Sequence, residues 1–289
     1  MLIQFLLNGI IIGSVYALLA WGFSIIYSTT KIFHIAYALL FMIAGYFTYF
    51  STSILELPLF LSIGISIFIT ILISLLIEKT VYLPLFKKNA NSNNILVASL
   101  GVLIIGINVI ALFFGNETKV LNPEISKSIS IDNVILTYSQ ITQVVVCLGI
   151  LLLLMLLINK TQLGLKIRAL KDDQELAIVH GLKVSNTRAI LFLLSGFSAA
   201  VCGNLIAYDI GFDPYVGMRI FLNAVVVMII AGNKNLFTVI WSGLLLGMLQ
   251  ALVIWKFSAN WQEAITFILL ILFLIFRPQG LFGSKLREI

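Results

Sequence analysis

The stretch that decides the fold reads VVVCLGILLLLMLLIN, Val144–Asn159, followed at once by KTQLGLKIRALKDDQELAIVHGLKVSNTR, Lys160–Arg188, before apolar sequence resumes at Ala189. An uncharged run long enough to enter lipid gives way to a charged, helix-forming island and then to a second apolar run. A chain that alternates in this way keeps its apolar spans in a bilayer and leaves the island in water, where another molecule can touch it.

Working outward, 61% of the 289 residues are hydrophobic and only 10% charged, and the mean hydropathy is +1.10. A helix needs roughly 20 apolar residues to cross the hydrocarbon core. Runs of that kind lie at about 5–27, 32–52, 58–77, 95–115, 140–159, 188–208, 217–232, 236–255 and 262–276. The expected fold is all-α: a polytopic integral membrane protein with about nine transmembrane helices, eight to ten depending on the short run 217–232, which reads as a crossing or as a re-entrant segment. Residues 1–289 form a single transmembrane domain, with 160–187 as a loop within it. Pro58, Pro84, Pro123, Pro214 and Pro278 fall at edges or connections of these runs, where a missing N–H costs least.

Charge sets the expected orientation, because Lys and Arg concentrate on cytoplasmic connections. With the N-terminus outside and the C-terminus in the cytoplasm, 14 of the 18 basic residues lie inside; Lys119, Lys127, Arg219 and Lys256 are left outside. The island is then cytoplasmic. The net charge of +6 reads as topology rather than as a nucleic-acid footprint. The opening MLIQFLLNG lacks a basic n-region and a cleavage site, so it is retained as the first helix.

Several classes are disfavoured. Cys147 and Cys202 lie within spans, which speaks against a disulfide framework. His34 and His180 stand far apart, without metal-ligand spacing. There is no Walker A pattern, no nucleophile elbow and no acidic pair within a span, so the chain is not read as an enzyme. With no charge near the middle of a span, a secondary carrier or channel is also disfavoured.

Small residues recur at helical spacing. Gly9, Gly13 and Ala17 share one face of the first span, and Gly243, Gly247 and Ala251 repeat the pattern in GLLLGMLQAL. This reads as close helix packing or as a fragment of an inverted repeat. Polar residues inside spans are Asn8, Ser14, Tyr16, Tyr37, Ser99, Asn108, Asn204, Asn223 and Gln250, as interhelical hydrogen bonders or as the lining of a path. Asn8, Ser14, Tyr37, Ser99 and Asn223 are chosen as the translocation-path candidates. In the island, Gly164 to Gly181 favours a short helix. Arg168 with Asp172, and Lys171 with Glu175, stand four apart and able to pair. Ala169, Asp173, Ala177 and Gly181 follow at four-residue intervals. By spacing alone the island is a docking helix or a solvated loop.

The string TQLGLKIRALKDDQELAIVHGLKVS, Thr161–Ser185, resembles the coupling loop of ABC importer permeases of the branched-chain amino acid type (LivH/LivM). The resemblance extends along nearly the whole chain. It takes in LLNGIIIGSVYALLAWGFSIIY at Leu6–Tyr27, ASLG at Ala98–Gly101, FDPYVG at Phe212–Gly217 and RPQGLFG at Arg277–Gly283. It implies a permease subunit, in a prokaryotic plasma (inner) membrane, of an importer for branched-chain or other hydrophobic amino acids. A related permease for urea, short amides or another small solute is the alternative. It further implies a second, LivM-like permease, two cytoplasmic ABC ATPase subunits and an extracytoplasmic solute-binding protein. ATP and Mg would be used by the ATPases, with no cofactor on this chain. Gly164, Arg168, Ala169, Asp173, Ala177 and Gly181 would form the ATPase-coupling set. Two departures stand out: Tyr37-Ala38 where the family commonly has His-Gly, and Asn233-Lys234-Asn235 after Ala231-Gly232 where it has a glycine-rich turn. The outer connection Asn116–Ser139 reads as a solvated loop or a contact for the binding protein.

Overall fold

The computed structural model describes residues 2–121, 128–131, 134–232, 236–277 and 280. The helices are α1 (Leu2–Thr30), α2 (Tyr37–Tyr49), α3 (Leu59–Ile77), α4 (Leu83–Lys87), α5 (Ser92–Phe114), α6 (Tyr138–Lys160), α7 (Gln162–Asp172), α8 (Gln174–Val179), α9 (Val184–Asp209), α10 (Val216–Ala231), α11 (Thr238–Lys256) and α12 (Gln262–Phe276). Among the described residues, eight helical stretches are long and apolar enough to cross a membrane. α10 has 16 residues, a length of about 24 Å at 1.5 Å per residue, short of the roughly 30 Å hydrocarbon core.

The third span outruns its expected end at residue 77. α3 continues through a π turn, Glu78–Tyr82, into α4, giving one 29-residue stretch from Leu59 to Lys87. Pro84 lies inside that stretch, not beyond it. The wide turn bonds Leu83 N to Glu78 O, five residues back, and seats the proline at the start of the next α-helical turn, where its absent N–H is tolerated. The connection before α6 holds a small antiparallel hairpin, β1 (Ser128–Ile131) and β2 (Val134–Thr137), with Ser128 opposite Thr137. Gln4 binds the outer edge of β2. Its Nε2 donates to Ile135 O at 2.9 Å, and its Oε1 accepts from Ile135 N at 2.8 Å.

The chain forms two compact units, one of residues 1–24, 124–152 and 220–289, the other of 25–123 and 153–219. In the first, α1 and α11 meet antiparallel through their small residues. A methyl at Gly9 or at Gly13 would stand 2.8 Å from the carbonyl oxygen of Gly247 or Gly243 respectively. The two four-spaced motifs thus pack on each other, backbone to backbone, which is what lets helices associate without an aqueous driving force.

The second unit is built on α2, α3 and α9, with α5 against α2. α2 is buried from Tyr37 to Tyr46, so it reads apolar all round. α3 does the opposite of a water-soluble helix. Ser62, Ser66, Thr70 and Ser74 are fully buried, while Phe60, Leu61, Phe68, Leu72 and Leu76 are exposed. The hydroxyls serve the neighbours. Ser74 Oγ donates to Phe192 O at 2.7 Å, and Asn204 Nδ2 donates to Ser66 Oγ at 2.8 Å, with Asn204 Oδ1 accepting from Thr48 Oγ1. In lipid such bonds hold helices together, because the alternative is an unsatisfied polar group in hydrocarbon.

Candidate coupling surface and polar path residues

The island folds as two helices, not as the single helix expected from Gly164 to Gly181. α6 ends at Lys160, and α7 begins at Gln162 with its third residue wedged into the corner. Gly164 N bonds Thr161 O at 3.2 Å, and a methyl at Gly164 would fall 1.6 Å from Ile158 O. Only glycine lets the two helices approach so closely. The break comes at Asp173, whose extended backbone (φ −152°, ψ 112°) ends α7 and whose carboxylate accepts from Leu176 N at 3.0 Å to cap α8. α8 closes on Gly181 at φ 80°. Leu182 N bonds Ala177 O at 3.1 Å, and Gly181 N bonds Ile178 O at 2.9 Å, the paired bonds of a Schellman stop. Asp173→Ala should loosen α8 by about 1 kcal/mol, the usual worth of an N-cap. Amide exchange at Leu176–Val179 would then quicken, and in Asp173→Asn, which keeps the cap, it would stay at the parent rate.

Ile167, Leu170 and Ala177 are buried, with α7 against α8 and α9. The outer face carries Arg168, Leu165, Leu176 and Val179, the three apolar side chains at 61%, 56% and 81% exposure. Among the described residues Arg168 forms no ion pair, so the four-residue spacing to Asp172 does not produce one. The side chain of Glu175 lies outside the described residues. Lys171 is half-buried. Burial, and the neighbouring charge of Lys31, hold its ammonium below the usual lysine range, with Asp172 acting in the other direction.

The five path candidates are divided between the two units. In the first unit Asn8 is exposed and accepts from Gln4 Nε2 at 3.2 Å, while Ser14 is buried and donates to Ile11 O. Asn223 belongs to a buried amide and hydroxyl network. Its Nδ2 donates to Tyr16 Oη at 3.3 Å, and its Oδ1 accepts from Gln250 Nε2 at 3.0 Å. Gln250 also donates to Thr266 Oγ1 at 2.6 Å and accepts from Gln262 Nε2 at 3.1 Å. In the second unit Ser99 and Tyr37 stand in one cluster. Ser99 Oγ accepts from Tyr82 Oη at 2.8 Å and from Ala36 N at 3.0 Å. The His34 ring bonds Tyr82 Oη through Nδ1 at 2.6 Å and lies 6.0 Å from the Tyr37 ring. Asn108 is exposed and bonds back to Ile104 O.

FDPYVG is a built corner of the second unit. Phe212 is buried edge-on against Tyr46 at 4.7 Å, Asp213 Oδ1 accepts from Tyr215 N at 2.8 Å, and Phe212 exchanges two 2.9 Å backbone bonds with Lys119. RPQGLFG and the Asn233–Asn235 departure lie largely or wholly outside the described residues.

Sequence reading passed over one pair altogether. Arg188, in the second turn of α9, donates from Nε to Glu78 Oε1 at 2.6 Å and from an Nη to Oε2 at 3.1 Å. Both side chains are 3% exposed. The guanidinium also lies 4.6 Å over the Phe86 ring. The signal was the run Ser62, Ser66, Thr70, Ser74, Glu78, Tyr82, a polar residue every fourth position, which marks Glu78 as inward-facing.

A family model described as branched-chain amino acid transport system / permease component matches residues 5–274. The high-affinity branched-chain amino acid transport system permease protein BraD of Pseudomonas aeruginosa is 27% identical, over 97% of this chain and 95% of its own length. LivH of Escherichia coli (strain K12), a permease protein of the same description, is 26% identical over 97% and 95%. A probable branched-chain amino acid transport permease protein LivH of Methanocaldococcus jannaschii is 25% identical over 98% and 93%. Among solved structures, PsaBC from Streptococcus pneumoniae in complex with Fab shares the fold, with a TM-score of 0.52 at 15% identity over 96% of this chain and 93% of that one.

Proposed function

The chain belongs to the family of branched-chain amino acid transport permease components, and on that footing we propose that it forms the membrane path of an ABC importer for branched-chain or other hydrophobic amino acids. Residues 1–289 act as one permease domain, N-terminus outside and C-terminus in the cytoplasm of a prokaryotic cell. A second, similar permease completes the path. Two cytoplasmic ATPases supply the energy with ATP and Mg, and an extracytoplasmic binding protein delivers the solute.

The observation that carries this reading is the face of α7 and α8. A segment between two apolar spans exposes Leu165, Leu176 and Val179 beside Arg168, on a support made rigid by Gly164, the Asp173 cap and the Gly181 stop. Large apolar side chains presented on a charged segment suit a protein partner. Gly164 and Gly181 shape the ends of this surface, Ala169 and Ala177 keep it slim, and Arg168 and Asp173 fix its geometry or meet the ATPase. For the path, Asn223 with its amide network, Ser99 with Tyr37, and Ser14 are favoured by burial; Asn8, exposed near the start of α1, is retained as a candidate.

Arg168→Ala and Asp173→Ala should each reduce labelled-leucine uptake and co-purification of the ATPases, with the amount of chain in the membrane unchanged. Full uptake in both variants would remove the assignment. Competition by valine and isoleucine, set against urea and acetamide, reads the solute class.

A further inference from the structure

We infer that the buried Glu78–Arg188 pair passes displacement of the α7–α8 segment into the membrane-embedded helices, both residues acting as positioning residues. This rests on the coupling reading just given.

Placement comes first. Arg188 is the fifth residue of α9, and α9 begins four residues after α8 closes at His180 and packs directly on α7. Any shift of the segment therefore enters α9 through its first two turns, where Arg188 sits.

The second point is what the guanidinium holds. Two bonds to one carboxylate, at 2.6 and 3.1 Å, with Phe86 against the ring face at 4.6 Å, fix its plane as well as its position. A buried ion pair is a poor choice for stability alone, since apolar residues of similar size often do as well or better. What it adds is a directional tie that resists sliding.

The third is where the tie leads. Glu78 opens the π turn and Tyr82 closes it. Tyr82 bonds His34 at 2.6 Å and Ser99 at 2.8 Å, and Ser99 holds Ala36 N at 3.0 Å, immediately before α2. One irregular turn thus binds α9 at one end and both α5 and the start of α2 at the other. π turns of this kind concentrate at functional sites, where the extra residue lets a helix change register locally. The unbroken route Arg188, Glu78, Tyr82, His34 ends beside Tyr37, a path candidate.

The test uses the whole complex, co-expressed with its ATPases, paired permease and binding protein and reconstituted in liposomes, with labelled leucine as probe. Uptake per ATP hydrolysed is compared for the parent, Arg188→Lys, and the apolar double variant Glu78→Leu with Arg188→Met. The double variant should assemble and hydrolyse ATP at the parent's basal rate, while uptake per ATP falls about tenfold or more, within the range of couplings between distant sites. Arg188→Lys, which keeps the charge and loses the fork, should fall in the same direction. If the double variant takes up leucine with the parent's yield per ATP, or fails to assemble, the pair only joins helices and the inference is overturned. A parent complex without ATP-driven uptake would instead sink the importer reading, and this inference with it.

Discussion

Gly247→Leu should prevent the chain from reaching its folded state. Where α11 crosses α1, a single added carbon at Gly247 would stand 2.2 Å from Gly9 O and 2.7 Å from Gly13 Cα. Ordinary overpacking of a core costs about 1–3 kcal/mol because side chains shift to make room. Here both sides of the contact are backbone, so the helices have to part along the whole seam from Gly9 to Ala17 and from Gly243 to Ala251. Their close contact is the dispersion energy that joins them in lipid. In detergent the variant should give no monodisperse peak. Gly64→Leu is the control, since Gly64 is exposed with nothing within 4 Å. A variant at 247 that melts with the parent would show that the seam contributes little.

Gly164→Val should leave the membrane spans folded and abolish coupling. The added carbon would fall 1.6 Å from Ile158 O, so the corner between α6 and α7 has to open and carry Arg168, Leu165 and the α8 face away from their places. The chain should insert and melt near the parent temperature while ATPase co-purification is lost and uptake falls about tenfold or more, on the scale of an allosteric coupling energy. Gly149→Val, on α6 with nothing within 4 Å, should retain uptake. Parent-level uptake with valine at 164 would show that the corner's geometry is irrelevant to coupling.

The spans were legible because lipid demands long apolar helices and hydropathy measures that demand directly. Where a span continued through a charged residue, as α3 does past Glu78, hydropathy stopped early, yet the four-residue recurrence from Ser62 to Tyr82 already placed Glu78 on the inner face. Its partner was not legible. Arg188 is 110 residues away, and nothing local to either residue announces the other. The division of the island at Asp173 did carry a local sign, an aspartate before a short helical run, which favours a cap over a helix interior. Polarity within a span does not say which way a side chain faces. Asn223 and Ser99 turn inward to partners on other helices, whereas Asn8 and Asn108 are exposed, and the difference lies in helix rotation rather than residue type. The β1–β2 hairpin also carried a local sign, the alternation SISI and the largely β-branched VILT on either side of Asp132-Asn133, whereas its fastening by Gln4 is again a long-range contact.

The serine and threonine stripe of α3 restricts how that helix can take part in a transport cycle. Turning by one residue is about 100° of rotation, enough to carry Ser62, Ser66, Thr70 and Ser74 out of their sockets and into hydrocarbon while driving Phe68 and Leu72 toward α9. Ser74 would lose Phe192 O and Ser66 would lose the Asn204 amide, where no water can replace them. Rolling about its own axis is therefore closed to α3. The motions left to it are tilting and travel as a rigid body with α9, so that the helix behaves as a keyed shaft rather than a bearing.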